Sequence, residues 1–270
     1  INKYFSKQLS YYPIKTLFLE TNVIKDILQG ILYTLKCLSI GWKNRKKIDL
    51  IYSATTNFSD IFPAKLISVL TRRPYIVKYH ISIYDEPNIL RIFHNFREEK
   101  NSFLDSLIRA VLARVTIIFL KKAEKNLVVC HYLGEQLEKC GVDKEKIEIN
   151  YNGLDFDEME KFRVLDAEKK YDLCYIGRIE KNKGLQDAIE AIKILKVKKP
   201  DISMVIIGDG SFMPELKDII NNAGLESNME VKGFLGDERY RILPRSKIVI
   251  SQTYAKEGFG ITLLEAIVFG

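Results

Sequence analysis

The chain has 270 residues, 47% of them hydrophobic, and its Lys and Arg residues exceed Asp and Glu by seven. This length can bury two cores, because single domains usually hold about 100 to 150 residues. The positive charge favours a polyanionic partner, such as nucleic acid, an acidic membrane surface or a phosphate-bearing substrate. The nearest candidate for a spanning helix, 107–120, is interrupted by Arg109 and Arg114, and a span requires about 18 apolar residues.

The cysteines show no metal-binding or disulfide pattern. Cys37, Cys130, Cys140 and Cys174 are scattered, without CxxC spacing or a neighbouring histidine cluster. They predict neither a disulfide framework nor a zinc site, and we expect a reduced, cytoplasmic setting.

The first half alternates helical and strand patterns. An apolar stripe with helical spacing predicts a core helix between 24 and 38, formed by Ile24, Ile27, Leu28, Ile31, Leu32, Leu35 and Leu38. Short β-branched or aromatic runs follow: DLIYS at 49–53, YIVKYH at 75–80, LVVCH at 127–131 and KIEIN at 146–150. Strands that alternate with helices predict a parallel sheet.

The same alternation of strand and helix patterns resumes after the charged stretch 155–170. The strand patterns there are YDLCYIG, SMVIIG, MEVKG and KIVIS, and a helical stripe beginning at Leu185 predicts a second core helix. We place the domain boundary in the charged stretch, which gives domains 1–160 and 161–270. Both domains are expected to be α/β units with a doubly wound parallel sheet.

Ligands of such sheets bind beyond the carboxyl ends of the strands. The first turn of the second half reads GRIEKNKG, 177–184, and sets Arg178 and Lys183 beside the start of a helix. A guanidinium, an ammonium and helix N-terminal amides together suit a diphosphate. The alternative is that both side chains are solvated loop cations. The next turn, GDGS at 208–211, lacks the GxGxxG spacing, which argues against a nicotinamide enzyme.

The last turn, EGFGITLLE at 257–265, contains two glutamates. Thr262 and Glu265 match the capping-box pattern, which would give Glu265 a structural role. No such role explains Glu257, which lies in a loop beside Gly258 and Gly260. We expect its carboxylate to face a ligand cleft.

GRIEKNKG, IIGDG, MEVKGFLG and EGFGITLLEA, in this order and spacing, resemble the nucleotide-sugar half of the retaining family 4 glycosyltransferases. The first half resembles them more loosely, through YIVKYH and IEINYNGLD, and the resemblance covers most of 48–270. It implies the GT-B fold, in which two Rossmann-like domains face a cleft. Compared with the family, each domain is expected to be incomplete, because a leading strand and the closing helices are missing.

The resemblance also assigns roles to residues. It implies that Arg178 and Lys183 hold the donor diphosphate and that Glu265 accepts the ribose hydroxyls. Glu257, with the backbone of Gly258, Phe259 and Gly260, would bind the transferred sugar, and His80 would lie near the sugar and the acceptor. The implied reaction is metal-independent and requires no cofactor. Asp155-Phe156-Asp157 has the D-x-D spacing of metal-dependent transferases, but it lies in the expected linker.

The expected function is retaining transfer of a sugar from a nucleotide diphosphate to a hydroxyl group of a glycan, a lipid-linked acceptor or a small molecule. A GT-B phosphorylase or epimerase and a non-catalytic binding module are the alternatives. The basic run KNRKK at 43–47 and the cations between 97 and 122 suggest an anionic membrane surface as a partner, and hence a peripheral location at the inner face of the membrane. No nucleic-acid recognition motif is present, so we expect no nucleic-acid partner.

Overall fold

The computed structural model describes residues 23–80, 88–98, 102–164, 167–254 and 258–269. The chain divides between Tyr151 and Asn152 into two compact units. This division lies before the boundary at 160 that the sequence indicates. The difference arises from the short helix Phe156–Glu160, because its Met159 is buried in the core of the second unit.

The first unit contains a four-stranded parallel sheet. Its strands are β1 (Ile51–Ser53), β2 (Tyr75–Tyr79), β3 (Lys125–Val128) and β4 (Ile147–Ile149), in the order β1-β2-β3-β4. The helices are α1 (Val23–Lys43), α2 (Phe58–Thr71), α3 (Ile89–Glu98), α4 (Phe103–Lys122) and α5 (His131–Lys139). All four strand predictions in this half are confirmed. The third strand ends at Val128, so His131 begins α5 and does not end a strand as expected.

Helix α4 shows how the local sequence sets these elements. It begins after Ser102, whose hydroxyl accepts a hydrogen bond from Asp105 N at 3.1 Å and thereby caps the helix. Its small and branched residues Ala110, Ala113 and Ile117 are buried against Ile92 of α3. The spacing of three and four residues places these side chains on one face of the helix.

Helix α1 packs differently from the prediction. Of its expected core stripe, Ile31, Leu32 and Leu35 are 51%, 60% and 57% exposed. The buried side of the helix carries small groups instead: Thr34 is buried, and a Cβ added at Gly41 would lie 2.9 Å from Ile67 of α2. Because α1 approaches α2 through its small residues, part of the apolar stripe is left on the outer face.

The second unit contains another four-stranded parallel sheet, with the order β7-β6-β5-β8. Its strands are β5 (Tyr171–Ile176), β6 (Met204–Ile207), β7 (Met229–Gly233) and β8 (Ser246–Ile250). Its helices are α6 (Phe156–Glu160), α7 (Leu185–Lys198), α8 (Met213–Asn222) and α9 (Ile261–Phe269), with 3-10 turns at Lys181–Lys183, Gly236–Arg241 and Leu243–Arg245. The four strand predictions of this half are also confirmed.

Two apolar clusters cover the two faces of this second sheet. One joins α7 and α8 to the sheet and includes Leu185, Ile189 and Ile192, as the helical stripe predicts. The other includes Met159 of α6 and Tyr240, with residues of α9 packed against it. The strand order reverses between β5 and β8, so this pair is the topological switch point, where open parallel sheets bind their ligands.

Candidate functional site

The turn after β5 is fixed by close backbone packing against the turn after β6. Ile179 N donates to Asp209 O at 2.9 Å, and Phe212 N donates to Ile179 O at 3.0 Å. A Cβ added at Gly208, whose φ is 145°, would lie 1.8 Å from Gly177 O. Only glycine fits there. The GDG turn therefore holds the chain that leads to Arg178 in place.

Arg178 and Lys183 both lie in this turn, where the sequence places them. The Arg178 side chain is exposed. The backbone carbonyl of Arg178 accepts a hydrogen bond from Tyr175 OH at 2.9 Å. Lys183 ends a 3-10 turn, and Gly184, with a φ of 68°, leads from it into α7. Lys183 thus lies at the amino end of a 14-residue helix, whose dipole also favours an anion, and Arg178 lies at the start of the turn that leads to this helix.

The loop after β8 packs against the same turn. Tyr254 N donates to Asn182 O at 2.9 Å, and the Tyr254 hydroxyl donates to the Asp187 carboxylate. Gln252 lies against Gly184. The loop that leads towards Glu257 therefore follows the start of α7. Glu257 itself lies outside the described residues.

The glycine-containing loop 258–260 leads directly into α9. Gly258 is buried, Phe259 is half-buried and Gly260 is exposed. Leu263 N donates to Gly260 O at 3.0 Å, so Gly260 precedes the first turn of the helix. Thr262 lies inside α9 (Ile261–Phe269), and Glu265 lies in its second turn. The expected capping box, with Thr262 as its first residue, is therefore wrong.

Glu265 is instead held by two residues after β7. Its side chain is buried, with 5% of the residue exposed. Arg239 Nη2 donates to Glu265 Oε1 at 2.8 Å, and Tyr240 OH donates to the same oxygen at 3.0 Å. The remaining contact of the carboxylate is longer, from Arg239 Nε to Oε2 at 3.5 Å. Burial, and then the hydrogen bond to Glu265, raise the pKa of Tyr240 to about 12, so the phenol remains a donor at neutral pH.

In the first unit, His80 directly follows β2 and reaches the end of β1. Its Nε2 lies 3.1 Å from Ala54 O. A carbonyl only accepts, so this contact places the proton of the neutral ring on Nε2 and leaves the lone pair on Nδ1. Burial lowers the pKa of His80; the bond to Ala54 opposes this, and nearby Lys78 adds to it. The imidazole is therefore neutral at pH 7.

Sequence reasoning missed Lys78, Arg239 and Tyr240. Lys78 is buried inside β2, and its ammonium donates to both the backbone and side-chain oxygens of Asn150. Its signal was a single charged residue within the apolar run YIVKYH, since buried lysines are rare. Arg239 and Tyr240 gave no signal, because they lie in a charged turn and their partner is 26 and 25 residues away.

The other polar candidates of the sequence have structural partners. Asp155 caps α6, because its carboxylate accepts a hydrogen bond from Glu158 N at 3.1 Å. His131 Nε2 lies 3.0 Å from Tyr151 OH. Among the described residues, no group of three or more His, Cys, Asp or Glu side chains could hold a metal, and all four cysteines are free thiols. No described helix is long and apolar enough to cross a membrane.

Comparison with known families matches the two halves of the chain separately. Residues 156–270 match the family Glycosyl transferases group 1, and residues 25–158 match Glycosyltransferase Family 4. The chain therefore belongs to these glycosyltransferase families.

Curated relatives belong to the same class. The chain is 24% identical to an uncharacterized glycosyltransferase of Methanocaldococcus jannaschii over 82% of this chain and 56% of the relative. It is 26% identical to N-acetylgalactosamine-N,N'-diacetylbacillosaminyl-diphospho-undecaprenol 4-alpha-N-acetylgalactosaminyltransferase of Campylobacter jejuni, over 67% of this chain and 46% of the relative. The chain thus spans about half the length of the curated relatives it matches.

Solved structures match the fold. The Anabaena HepE protein, solved in complex with UDP, aligns with a TM-score of 0.67 and 18% sequence identity, over 86% of this chain and 60% of HepE. The two four-stranded parallel sheets with their helices are those of GT-B glycosyltransferases, as the sequence predicts.

Proposed function

We propose that the protein is a retaining, metal-independent glycosyltransferase that moves a sugar from a nucleotide diphosphate to a hydroxyl acceptor. One observation carries the proposal: two cations, a helix amino terminus and the loop after β8 meet where the second sheet reverses its strand order. Switch points of this kind bind nucleotides in other α/β sheets. The complex of Anabaena HepE with UDP supports a uridine nucleotide as the first donor to test.

In this proposal the second unit binds the donor. Arg178 and Lys183 neutralise the diphosphate and stabilise the charge that develops on it as the sugar leaves. Glu265 accepts hydrogen bonds from the ribose hydroxyls. Glu257 accepts hydrogen bonds from the hydroxyls of the transferred sugar, with the backbone of Gly258, Phe259 and Gly260 beside it. The leaving phosphate assists attack from the same face, so Glu257 orients the sugar and forms no covalent bond.

The acceptor is assigned to the first unit. The neutral imidazole of His80 can accept a hydrogen bond through Nδ1, which suits a hydroxyl group of an acceptor. The named activity of the Campylobacter relative, on a diphospho-undecaprenol saccharide, supports a lipid-linked acceptor.

Isothermal titration with UDP tests the donor site. Arg178→Ala should weaken UDP binding about tenfold or more, because a charge-assisted hydrogen bond contributes about 1.5 to 3 kcal/mol. Lys193→Ala is the control, since Lys193 is an exposed cation on α7 that pairs with Glu190. Glu257→Ala should lower turnover far more than UDP affinity. Equal affinity of the Arg178 and Lys193 variants would refute the diphosphate assignment.

Product analysis tests the reaction itself. Product should form only with an added hydroxyl acceptor, and its anomeric configuration, read by NMR, should match that of the donor. Turnover should be unaffected by a chelator, because no metal ion takes part. Consumption of the donor with phosphate alone would instead identify a phosphorylase, and inversion at the anomeric carbon would refute a retaining mechanism.

We also propose an anionic membrane surface at the inner face of the membrane as a partner. The outer face of α1 exposes Ile31, Leu32, Leu35 and Trp42. Lys36 and Lys43 are exposed on the same face, and exposed Arg45, Lys46 and Lys47 follow the helix. Arg45 lies over the Trp42 ring, 4.4 Å from its centroid. Apolar residues flanked by cations match the two attractions that hold interfacial helices on lipid.

Vesicle co-sedimentation at low salt tests this surface. The protein should bind vesicles that contain phosphatidylglycerol, and Leu35→Gln and Trp42→Ala should each reduce the bound fraction. Val197→Gln, which replaces an exposed apolar residue of α7, is the matched control. Binding that is unchanged in all three variants would exclude α1 as the contact.

A further inference from the structure

Only one of the two carboxylate oxygens of Glu265 accepts short hydrogen bonds from the protein. Oε1 accepts two hydrogen bonds, at 2.8 Å from Arg239 Nη2 and at 3.0 Å from Tyr240 OH. Oε2 has one long contact, with Arg239 Nε at 3.5 Å. A carboxylate offers about four lone-pair sites, two on each oxygen. Oε2 therefore retains the capacity to accept from a ligand.

Arg239 and Tyr240, which donate to Oε1, are themselves fixed by further contacts. Arg239 Nη1 donates to Gly236 O at 2.7 Å, and its guanidinium lies 4.1 Å from the centroid of the Tyr240 ring. Arg239 Nη2 also donates to the Tyr240 oxygen, which in turn donates to Glu265. Donors linked in this way strengthen one another. The arrangement leaves the carboxylate little freedom to rotate.

Charge adds a second reason for this arrangement. A buried carboxylate needs a compensating charge, and the Arg239 guanidinium supplies it, with only 22% of its side chain exposed. A ligand that approached Oε2 would therefore meet an oriented acceptor whose charge is already balanced.

We infer that Arg239 and Tyr240 are positioning residues, which fix Glu265 through Oε1 so that Oε2 accepts the hydroxyls of the donor ribose. This inference rests on the proposed function, in which Glu265 binds the ribose. It adds the source of ribose selectivity: Oε2 distinguishes ribonucleotides from deoxyribonucleotides only while Arg239 and Tyr240 hold the carboxylate in place.

Calorimetric titration with ribo- and 2'-deoxyribonucleoside diphosphates tests the inference. UDP, GDP and ADP are compared first, and the tightest of them is then compared with its 2'-deoxy counterpart. The unaltered protein should prefer the ribonucleotide about tenfold or more, and Glu265→Gln should remove most of that preference. Tyr240→Phe and Arg239→Lys should reduce it to about threefold or less. Inorganic diphosphate should bind all variants equally, which would show that the diphosphate-binding site at Arg178 and Lys183 is intact.

The matched control is Arg241→Met. Arg241 lies in the same turn and forms an exposed pair with Glu238 at 2.9 Å. Its replacement should leave the ribose preference unchanged. Tyr240→Phe removes a single hydroxyl and keeps the buried ring, so it tests the inference even if the arginine variants fold poorly.

The possible outcomes separate the two levels of the proposal. If Glu265→Gln loses the ribose preference while Tyr240→Phe and Arg239→Lys retain it in full, the positioning role is refuted and the proposed function stands. If Glu265→Gln retains the preference, the ribose role of Glu265 in the proposed function fails. If none of the three diphosphates binds, both proposals are overturned.

Discussion

Two carboxylates of the second unit, Asp172 and Glu265, are both paired with cations but are used differently. Asp172 lies in β5, near its amino end, and its side chain is 13% exposed. Its Oδ1 contacts Lys199 at 2.5 Å and Lys247 at 2.8 Å, while Oδ2 accepts from Ser203 N at 3.0 Å. Both oxygens of Asp172 thus accept short hydrogen bonds from the protein, whereas Oε2 of Glu265 has only a 3.5 Å contact with Arg239 Nε.

This difference separates a structural carboxylate from a candidate ligand-binding one. The partners of Asp172 join the start of β5 to the residue after α7 and to β8, on the amino side of the sheet. Glu265 and Arg239 lie on segments that follow the carboxyl ends of β8 and β7, the side on which such sheets bind ligands. Both pairs stabilise the fold, but only Glu265 has an oxygen with spare hydrogen-bonding capacity.

The largest expected effect comes from Glu265→Ala. This change leaves the Arg239 guanidinium largely buried without its carboxylate, which should lower the free energy of unfolding by about 3 kcal/mol. It should also reduce the stabilisation by UDP, which raises the melting temperature through binding to the folded state. Urea unfolding and thermal melts with and without UDP measure both quantities. An unchanged UDP-induced shift would contradict the contrast with Asp172.

Asp172→Asn should have a smaller effect, confined to stability. The amide keeps the shape of the side chain but lacks the negative charge with which Lys199 and Lys247 form ion pairs. We expect a loss of about 1.5 to 3 kcal/mol in urea unfolding, the usual contribution of a hydrogen bond to a charged group. The UDP-induced shift in melting temperature should remain that of the unaltered protein. A reduced shift would mean that the amino edge of the sheet also affects the ligand.

The smallest expected effect is a difference in acid sensitivity. Hydrogen bonds from Lys199 and then from Lys247 hold the pKa of Asp172 far below its usual value. The unfolded state, with an aspartate pKa of about 3.9, therefore binds this proton at a higher pH than the folded state. The stabilisation by Asp172 is present above about pH 4 and decreases as the pH falls further.

Urea unfolding between pH 3 and pH 7 measures this dependence. The gap in unfolding free energy between the unaltered protein and Asp172→Asn should narrow below about pH 4. A gap that stays constant with pH would show that the charge of Asp172 contributes nothing.

The local sequence predicted the strands well and the helix faces less well. The sequence predicted all eight strands of the described residues, because short β-branched and aromatic runs bounded by turns specify a buried parallel strand. The stripe of α7 is buried as expected at Leu185, Ile189 and Ile192. The stripe of α1 is partly exposed, because the close approach of Gly41 to Ile67 selected a different face. The periodicity of α1 could not reveal that contact.

The candidate site shows the same limit. The positions of Arg178 and Lys183 were predictable, since the turn that contains both directly follows a strand pattern. The capping role of Glu265 was predicted from four adjacent letters and was wrong, because its partners lie after a different strand. The roles of Arg178, Lys183, Glu257 and His80 remain predictions that the experiments above address.

Local sequence patterns therefore specify where the described strands lie and which polar side chains follow their carboxyl ends. Both features depend on neighbours within one turn or one strand, so a local pattern is sufficient. Long-range packing, by contrast, sets which carboxylate has both oxygens paired and which has one oxygen with only a long contact. Lys199 is 27 residues from Asp172, and Arg239 is 26 residues from Glu265. Contacts over such distances exist only after the sheet and its turns have assembled.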